Sequence, residues 1–216
     1  MAFQAGLYWI IDPLCGWSYG ALPLINRIAS YFPQQHILPG GLFIGANRRQ
    51  LNADWLTHVK QHDARIAALT GMTFGADYQQ KLLADNSLIL DSLPATRGLL
   101  AAQRFSGPDA GLNFLNAIQR AWYHDGQNIT LPAMVERILE QSTEPGIKLG
   151  QIQEQEALES IQHARMLMAV VGGQGFPTAA IIDSEGRSTL LPVGNYYGQP
   201  EAFSALVEPQ LTRISN

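Results

Sequence analysis

The chain has 216 residues, 46% apolar and 15% charged, and its 14 Lys and Arg against 18 Asp and Glu give a net charge of −4. At about 150 residues per domain this is one folded domain with an elaboration, too rich in apolar residues and too poor in charge for a disordered chain. No basic run exceeds Arg48-Arg49, which argues against a nucleic-acid partner, and the apolar runs fall far short of the roughly 18 residues that span a bilayer, which argues against a membrane protein.

In chain order, Met1–Gly6 carries no basic residue and leaves no room for an apolar signal core, so a cytoplasmic protein is expected. Leu7–Asp12 is continuous, aromatic and β-branched, the pattern of a strand covered on both faces. After Pro13, apolar residues at Leu22, Ile25, Ile28, Ala29 and Phe32 recur at helical spacing up to Pro33. That spacing predicts one helix of about five turns beginning close to Cys15. His36–Phe43 predicts a second strand, broken by a bend at Pro39-Gly40-Gly41. From Leu51 to Val171 the period is helical almost throughout, as at Trp55/Val59/Ile66 and Leu112/Leu115/Ile118/Trp122. Pro177–Asp183 and Ser188–Val193 then predict a hairpin about Ser184–Arg187, and Pro200–Ile214 a closing helix headed by proline. The order predicts an α/β chain in two parts: a discontinuous unit of residues 1–50 and 170–216, and an all-helical insertion of residues 51–169.

A single cysteine excludes an internal disulfide and a Cys-based zinc site, so Cys15 is either inert and buried or central to the chemistry. Cys15-Gly16-Trp17-Ser18 stands where strand hands over to helix. Unpaired N–H groups and the helix dipole there favour a thiolate, which predicts a nucleophile with a pKa below the free value of about 8.5. A second element is the glycine-rich entry Gly172-Gly173-Gln174-Gly175-Phe176-Pro177-Thr178. Its proline is a candidate for a cis bond that exposes the backbone before it to an extended substrate, the alternative being a proline that simply opens a strand.

Asp12-Pro13-Leu14-Cys15-Gly16-Trp17-Ser18-Tyr19-Gly20 resembles the D-P-x-C-x-W-C-[YW]-G pattern of the DsbA-like branch of the thioredoxin superfamily. Gly175-Phe176-Pro177-Thr178 is similar to that family's G-x-P-T loop, and Ala121–Ile129 to a stretch found in its cytoplasmic members. The resemblance implies a thioredoxin fold with an inserted helical domain and a thiol–disulfide oxidoreductase. Cys15 would be the nucleophile, Ser18 would support its thiolate, and Trp17, Phe176, Pro177 and Thr178 would hold the substrate. One departure matters: Ser18 occupies the place of the resolving cysteine, and a hydroxyl cannot usefully attack sulfur. The expected reaction is therefore monothiol exchange with a disulfide-containing peptide, protein or glutathione conjugate, resolved by an outside thiol such as glutathione, with no resident cofactor or metal. The alternatives are a glutathione-dependent transferase or isomerase of the kappa type, for which the Asp-Arg pair expected in Gly194–Glu201 is missing, and a non-catalytic binding or chaperone-like module.

Other motifs carry less. Gly16-Trp17-Ser18-Tyr19-Gly20 satisfies the G-x-S-x-G nucleophile elbow, but only one strand precedes it and no oxyanion loop is present. His58 and His62 have the i, i+4 spacing of zinc ligands without a third ligand, and are read as a solvated helix edge. Asn128-Ile129-Thr130 is a formal sequon in a chain with no expected signal, His124-Asp125 reads as a helix end, and Tyr196 and Tyr197 could border the site from the last loop.

Overall fold

The computed structural model describes residues 3–212 and 214. Met1 and Ala2, within the stretch read for a leader, and residue 213, in the expected last turn of the closing helix, lie outside these. Four strands form the main sheet in the order β2-β1-β5-β6: β1 (Gly6–Ile11), β2 (His36–Pro39), β5 (Thr178–Ile182) and β6 (Ser188–Leu191). β1 runs parallel to β2 and antiparallel to β5, with Trp9 between Ile37 and Ala179. Every residue of β1 is buried, as its unbroken apolar run requires. Leu7, Trp9 and Ile11 face the core shared with α2 (Leu22–Ala29) and α7 (Pro200–Leu211), where Trp9 packs on Phe203 at 5.8 Å. Tyr8 and Ile10 face the other way, onto Ala164, Leu167 and Val171.

The single long helix expected after Pro13 is two, α1 (Gly16–Gly20) and α2, meeting at Ala21. Pro23 is the reason: it has no N–H to give to the Tyr19 carbonyl, so the ladder breaks one turn in. The second strand is likewise shorter than expected. It ends at Pro39, and the chain turns away through Gly40 and Gly41, whose φ of 65° only glycine takes without strain. Phe43 instead exchanges hydrogen bonds with Ser92 at the head of α4 (Leu93–Tyr123).

The expected helical stretch contains α3 (Ala53–Thr70), α4, α5 (Pro132–Ser142) and α6 (Glu154–Val170), with a π-helical turn at Tyr78–Leu82. It is not wholly helical: β4 (Ile89–Leu90) lies inside it and pairs with β3 (Arg49–Gln50), just before it, in an unexpected two-stranded ribbon. Asn52 caps α3 by accepting from Trp55 N at 2.9 Å, and Gly71 ends it with φ 71°. α4 bends at Gly107, immediately before Pro108. Although α6 lies in the same stretch of sequence, it is the helix that covers the Tyr8/Ile10 face of the sheet. No helix among the described residues is long and apolar enough to cross a membrane.

Candidate active site

Asp12, at the end of β1, organises the turn that presents Cys15. Its side chain is fully buried, and Oδ1 accepts from Leu14 N at 2.8 Å and Ser92 Oγ at 3.0 Å, while Oδ2 accepts from Leu42 N at 2.6 Å. One carboxyl thus ties together the β1–α1 turn, the bend after β2 and the start of α4. Its backbone takes part as well: Asp12 O accepts from Cys15 N at 3.0 Å, and Gln119 of α4 reaches the Asp12 and Pro13 carbonyls. Burial raises this carboxyl to about 6, against the pull of its three hydrogen bonds and of Arg165.

Cys15 caps α1 and is 8% exposed. Its thiol donates to Phe176 O at 3.4 Å, joining the two motifs across 161 residues. The expected depression of its pKa is not met. Burial pushes the thiol up to about 11, the Asp12 carboxylate pushes the same way, and the Ser18 and Trp17 amides with the Ser18 hydroxyl pull only partly back. Five residues of helix supply little dipole, whereas a sulfur sealed under a carbonyl loses nearly all its hydration. Ser18 is 1% exposed, three residues from the thiol, and its Oγ accepts from Asp12 N at 3.2 Å.

The Phe176–Pro177 peptide is cis, and Thr178 Oγ1 donates back to Gly175 O at 2.6 Å, closing the turn. Gly40 seats the Phe176 ring, since a Cβ there would fall 2.1 Å from its Cε1. Arg165 of α6 holds the same bend by donating to Gly40 O at 2.9 Å and to Gly41 O. Trp17 is fixed from two sides: its indole donates to His62 Nδ1 at 2.9 Å, and its carbonyl accepts from Tyr197 Oη at 3.0 Å, with the rings of Trp17 and Tyr197 5.1 Å apart. A groove of about 320 Å³ runs between Trp17, Tyr197 and the Gly175–Thr178 turn. Of the two tyrosines flagged in the sequence, Tyr197 borders the site; Tyr196 packs on Phe203 in the core.

Cys15 itself lines a separate, mainly apolar cavity of about 210 Å³, between the β1–α1 turn and α3. Asp63 and Tyr78 line it, and Tyr78 Oη donates to Asp63 Oδ2 at 2.8 Å. Burial raises the Asp63 carboxyl to about 7. Its other oxygen lies 3.2 Å from where a Cβ on Gly16 would stand, so glycine beside the nucleophile lets α3 approach. His62 does not lie on a solvated edge: it is half-buried and committed to Trp17, while His58 remains exposed and packs on Trp55.

Asp12, Asp63, Tyr78 and Gly40 were missed as site residues. Asp12 heads the D-P-x-C pattern and closes a wholly apolar strand, and Asp63 falls on the Val59/Ile66 stripe of its helix at i+4 and i−3, so an acid on a buried face is the signal in both cases, joined for Asp12 by its place in the motif. Gly40 and Tyr78 had none, because each matters through partners far along the chain.

No protein-family model matches the sequence, and no curated protein matches it. Solved structures do. The cytosolic disulfide reductase DsbM from Pseudomonas aeruginosa is 34% identical, covers 96% of this chain and 98% of its own, and superposes with a TM-score of 0.85. The chain belongs to the DsbA-like family of thiol–disulfide oxidoreductases. The structure of DsbM with GSH is similar at 32% identity over 96% and 99% of the two chains, with a TM-score of 0.80. A Nitrosomonas europaea structure, at 24% identity and TM-score 0.75 over 97% and 98%, agrees in fold. The architecture of this family, a thioredoxin fold with a helical insertion, is the one described above, and the activity is thiol–disulfide exchange.

Proposed function

We propose that this protein is a monothiol disulfide reductase. Cys15 attacks a disulfide, forms a mixed disulfide, and is released by an external thiol such as glutathione. The observation that carries the reading is the pairing of a sole cysteine with a buried serine, Ser18, at the position where a resolving thiol would stand. No intramolecular attack on the mixed disulfide is then open to the chain. The raised thiol supports the reducing direction: strongly oxidising relatives stabilise the free thiolate, and burial of Cys15 does the opposite. DsbM, similar along the whole chain, has been solved with GSH, which supports glutathione as the resolving thiol.

On this reading Cys15 is the nucleophile and Ser18 steadies the turn that carries it. Trp17, Phe176, Pro177 and Thr178 hold the backbone of a peptide disulfide or of glutathione along the groove. Residues 1–50 with 170–216 act as the thioredoxin unit and 51–169 as its insertion, and the protein works in the cytoplasm, where reduced glutathione is available. The test follows the adduct by mass spectrometry after exposure to a glutathione mixed disulfide without free thiol. The Cys15 adduct should persist until glutathione is added, and Ser18→Cys should clear it unaided. Equal clearance in both proteins would overturn the monothiol account.

A further inference from the structure

The groove beside Pro177 and the cavity under α3 meet at Trp17, which lines both. They differ in chemistry. The groove is open and edged by backbone, as suits a peptide-like molecule such as glutathione. The cavity is walled mainly by apolar and aromatic groups, among them Leu14, Phe43, Val59 and Ile66; His58, His62 and the unpartnered indole nitrogen of Trp55 are its polar lining besides Asp63 and Tyr78, and no Lys or Arg is among its lining residues. Its one acidic lining group is Asp63, 9% exposed, with Oδ2 taken by Tyr78. A carboxylate placed there would lose its hydration and face a second carboxyl, and the only basic groups in the lining are His58, at the exposed rim, and His62, which burial and the neighbouring His58 and Arg65 hold toward its neutral form and which already accepts from Trp17. A space of about 210 Å³ holds about seven waters at roughly 30 Å³ each, enough for a phenyl or branched alkyl group and too small for a folded segment.

We propose that the cavity is a subsite for a small, uncharged apolar group R carried by the leaving sulfur of a low-molecular-weight mixed disulfide. The proposal rests on the glutathione reading above and names its substrate class: a glutathione mixed disulfide, G–S–S–R, with the glutathione half in the groove and R in the cavity. In the first step the Cys15 sulfur bonds to the glutathione sulfur, the bond to R–S breaks, and R–S⁻ takes up the proton that Cys15 gave up. In the second, a free glutathione thiolate attacks the glutathione sulfur on Cys15, releasing oxidised glutathione and regenerating the Cys15 thiol. The sum is G–S–S–R plus glutathione giving R–SH plus glutathione disulfide.

The test compares glutathione mixed disulfides of benzyl mercaptan, 2-mercaptoethanol and 3-mercaptopropionate by the rate of glutathione disulfide release, each divided by its uncatalysed rate with glutathione so that differences in leaving-thiol acidity cancel. The benzyl compound should exceed the mercaptopropionate one about tenfold in kcat/KM, mostly through KM, and Val59→Trp, which fills the cavity, should bring the ratio toward one. A second measurement is independent of turnover and of that variant's folding. The unreactive benzyl methyl sulfide should slow iodoacetamide labelling of Cys15 in the wild-type protein, and 3-(methylthio)propionate should not. Turnover of all three disulfides at equal kcat/KM, or equal effects of the two thioethers, would overturn the subsite. Failure to turn over any of them would count against the glutathione reading, and the thioether comparison would still decide the cavity.

Discussion

Replacing Asp12 by Asn tests whether burial or hydrogen bonding governs the carboxyl that anchors the nucleophile turn. The substitution keeps the shape and one acceptor oxygen while removing the titration. In the folded protein the group has a pKa of about 6, against about 3.9 in the unfolded chain. Because the folded value is the higher, the native state holds the proton more tightly, and stability from this group is complete below about 4 and lost as pH rises through 6. Integrating between pH 7.5 and 4.5 gives about 2 kcal/mol, gained by the wild type on acidification and absent from the variant. The comparison is a difference of differences, so any fixed packing cost of the amide facing Leu42 N cancels. Urea unfolding of both proteins at the two pH values, followed by tryptophan fluorescence, measures it directly. A pH-independent gap between the curves, or one in which Asp12→Asn gains on acidification, would mean that Leu14, Leu42, Ser92 and Arg165 hold the carboxylate ionised, and the burial argument would be wrong.

Iodoacetamide labelling of Cys15 should be slow near pH 7 and rise with pH through a midpoint well above the free-thiol value of about 8.5, because only the thiolate reacts and burial disfavours it; a midpoint below 8.5 would restore the dipole-dominated expectation drawn from the sequence. Asp12→Asn should lower that midpoint by removing a buried negative charge. Gly40→Ala forces its Cβ onto the Phe176 ring and should cost about 1–3 kcal/mol of stability. By displacing Phe176 O from the thiol it should also speed labelling at fixed pH, whereas unchanged melting and labelling would show that the loop does not depend on this contact.

What local chemistry decides is legible along the chain. The apolar run of Leu7–Ile11 reads as a doubly covered strand because its side chains alternate between two buried faces, and β1 is one. A cysteine after a strand and before a helical period marks the nucleophile candidate, and Ser18 three residues on removes the second thiol without reference to any partner. The cis bond before Pro177 was readable as a candidate from its glycines. The long-range arrangement emerges only when distant segments pack. The thiol's protonation turns on a desolvation that no spacing records, and its hydrogen bond to Phe176 O spans 161 residues. Asp12 gains its role from Leu42 and Ser92, and the cavity exists because α3 is let down onto Gly16. A pKa and a cavity are sums over neighbours in space, which the order of residues along a chain does not list.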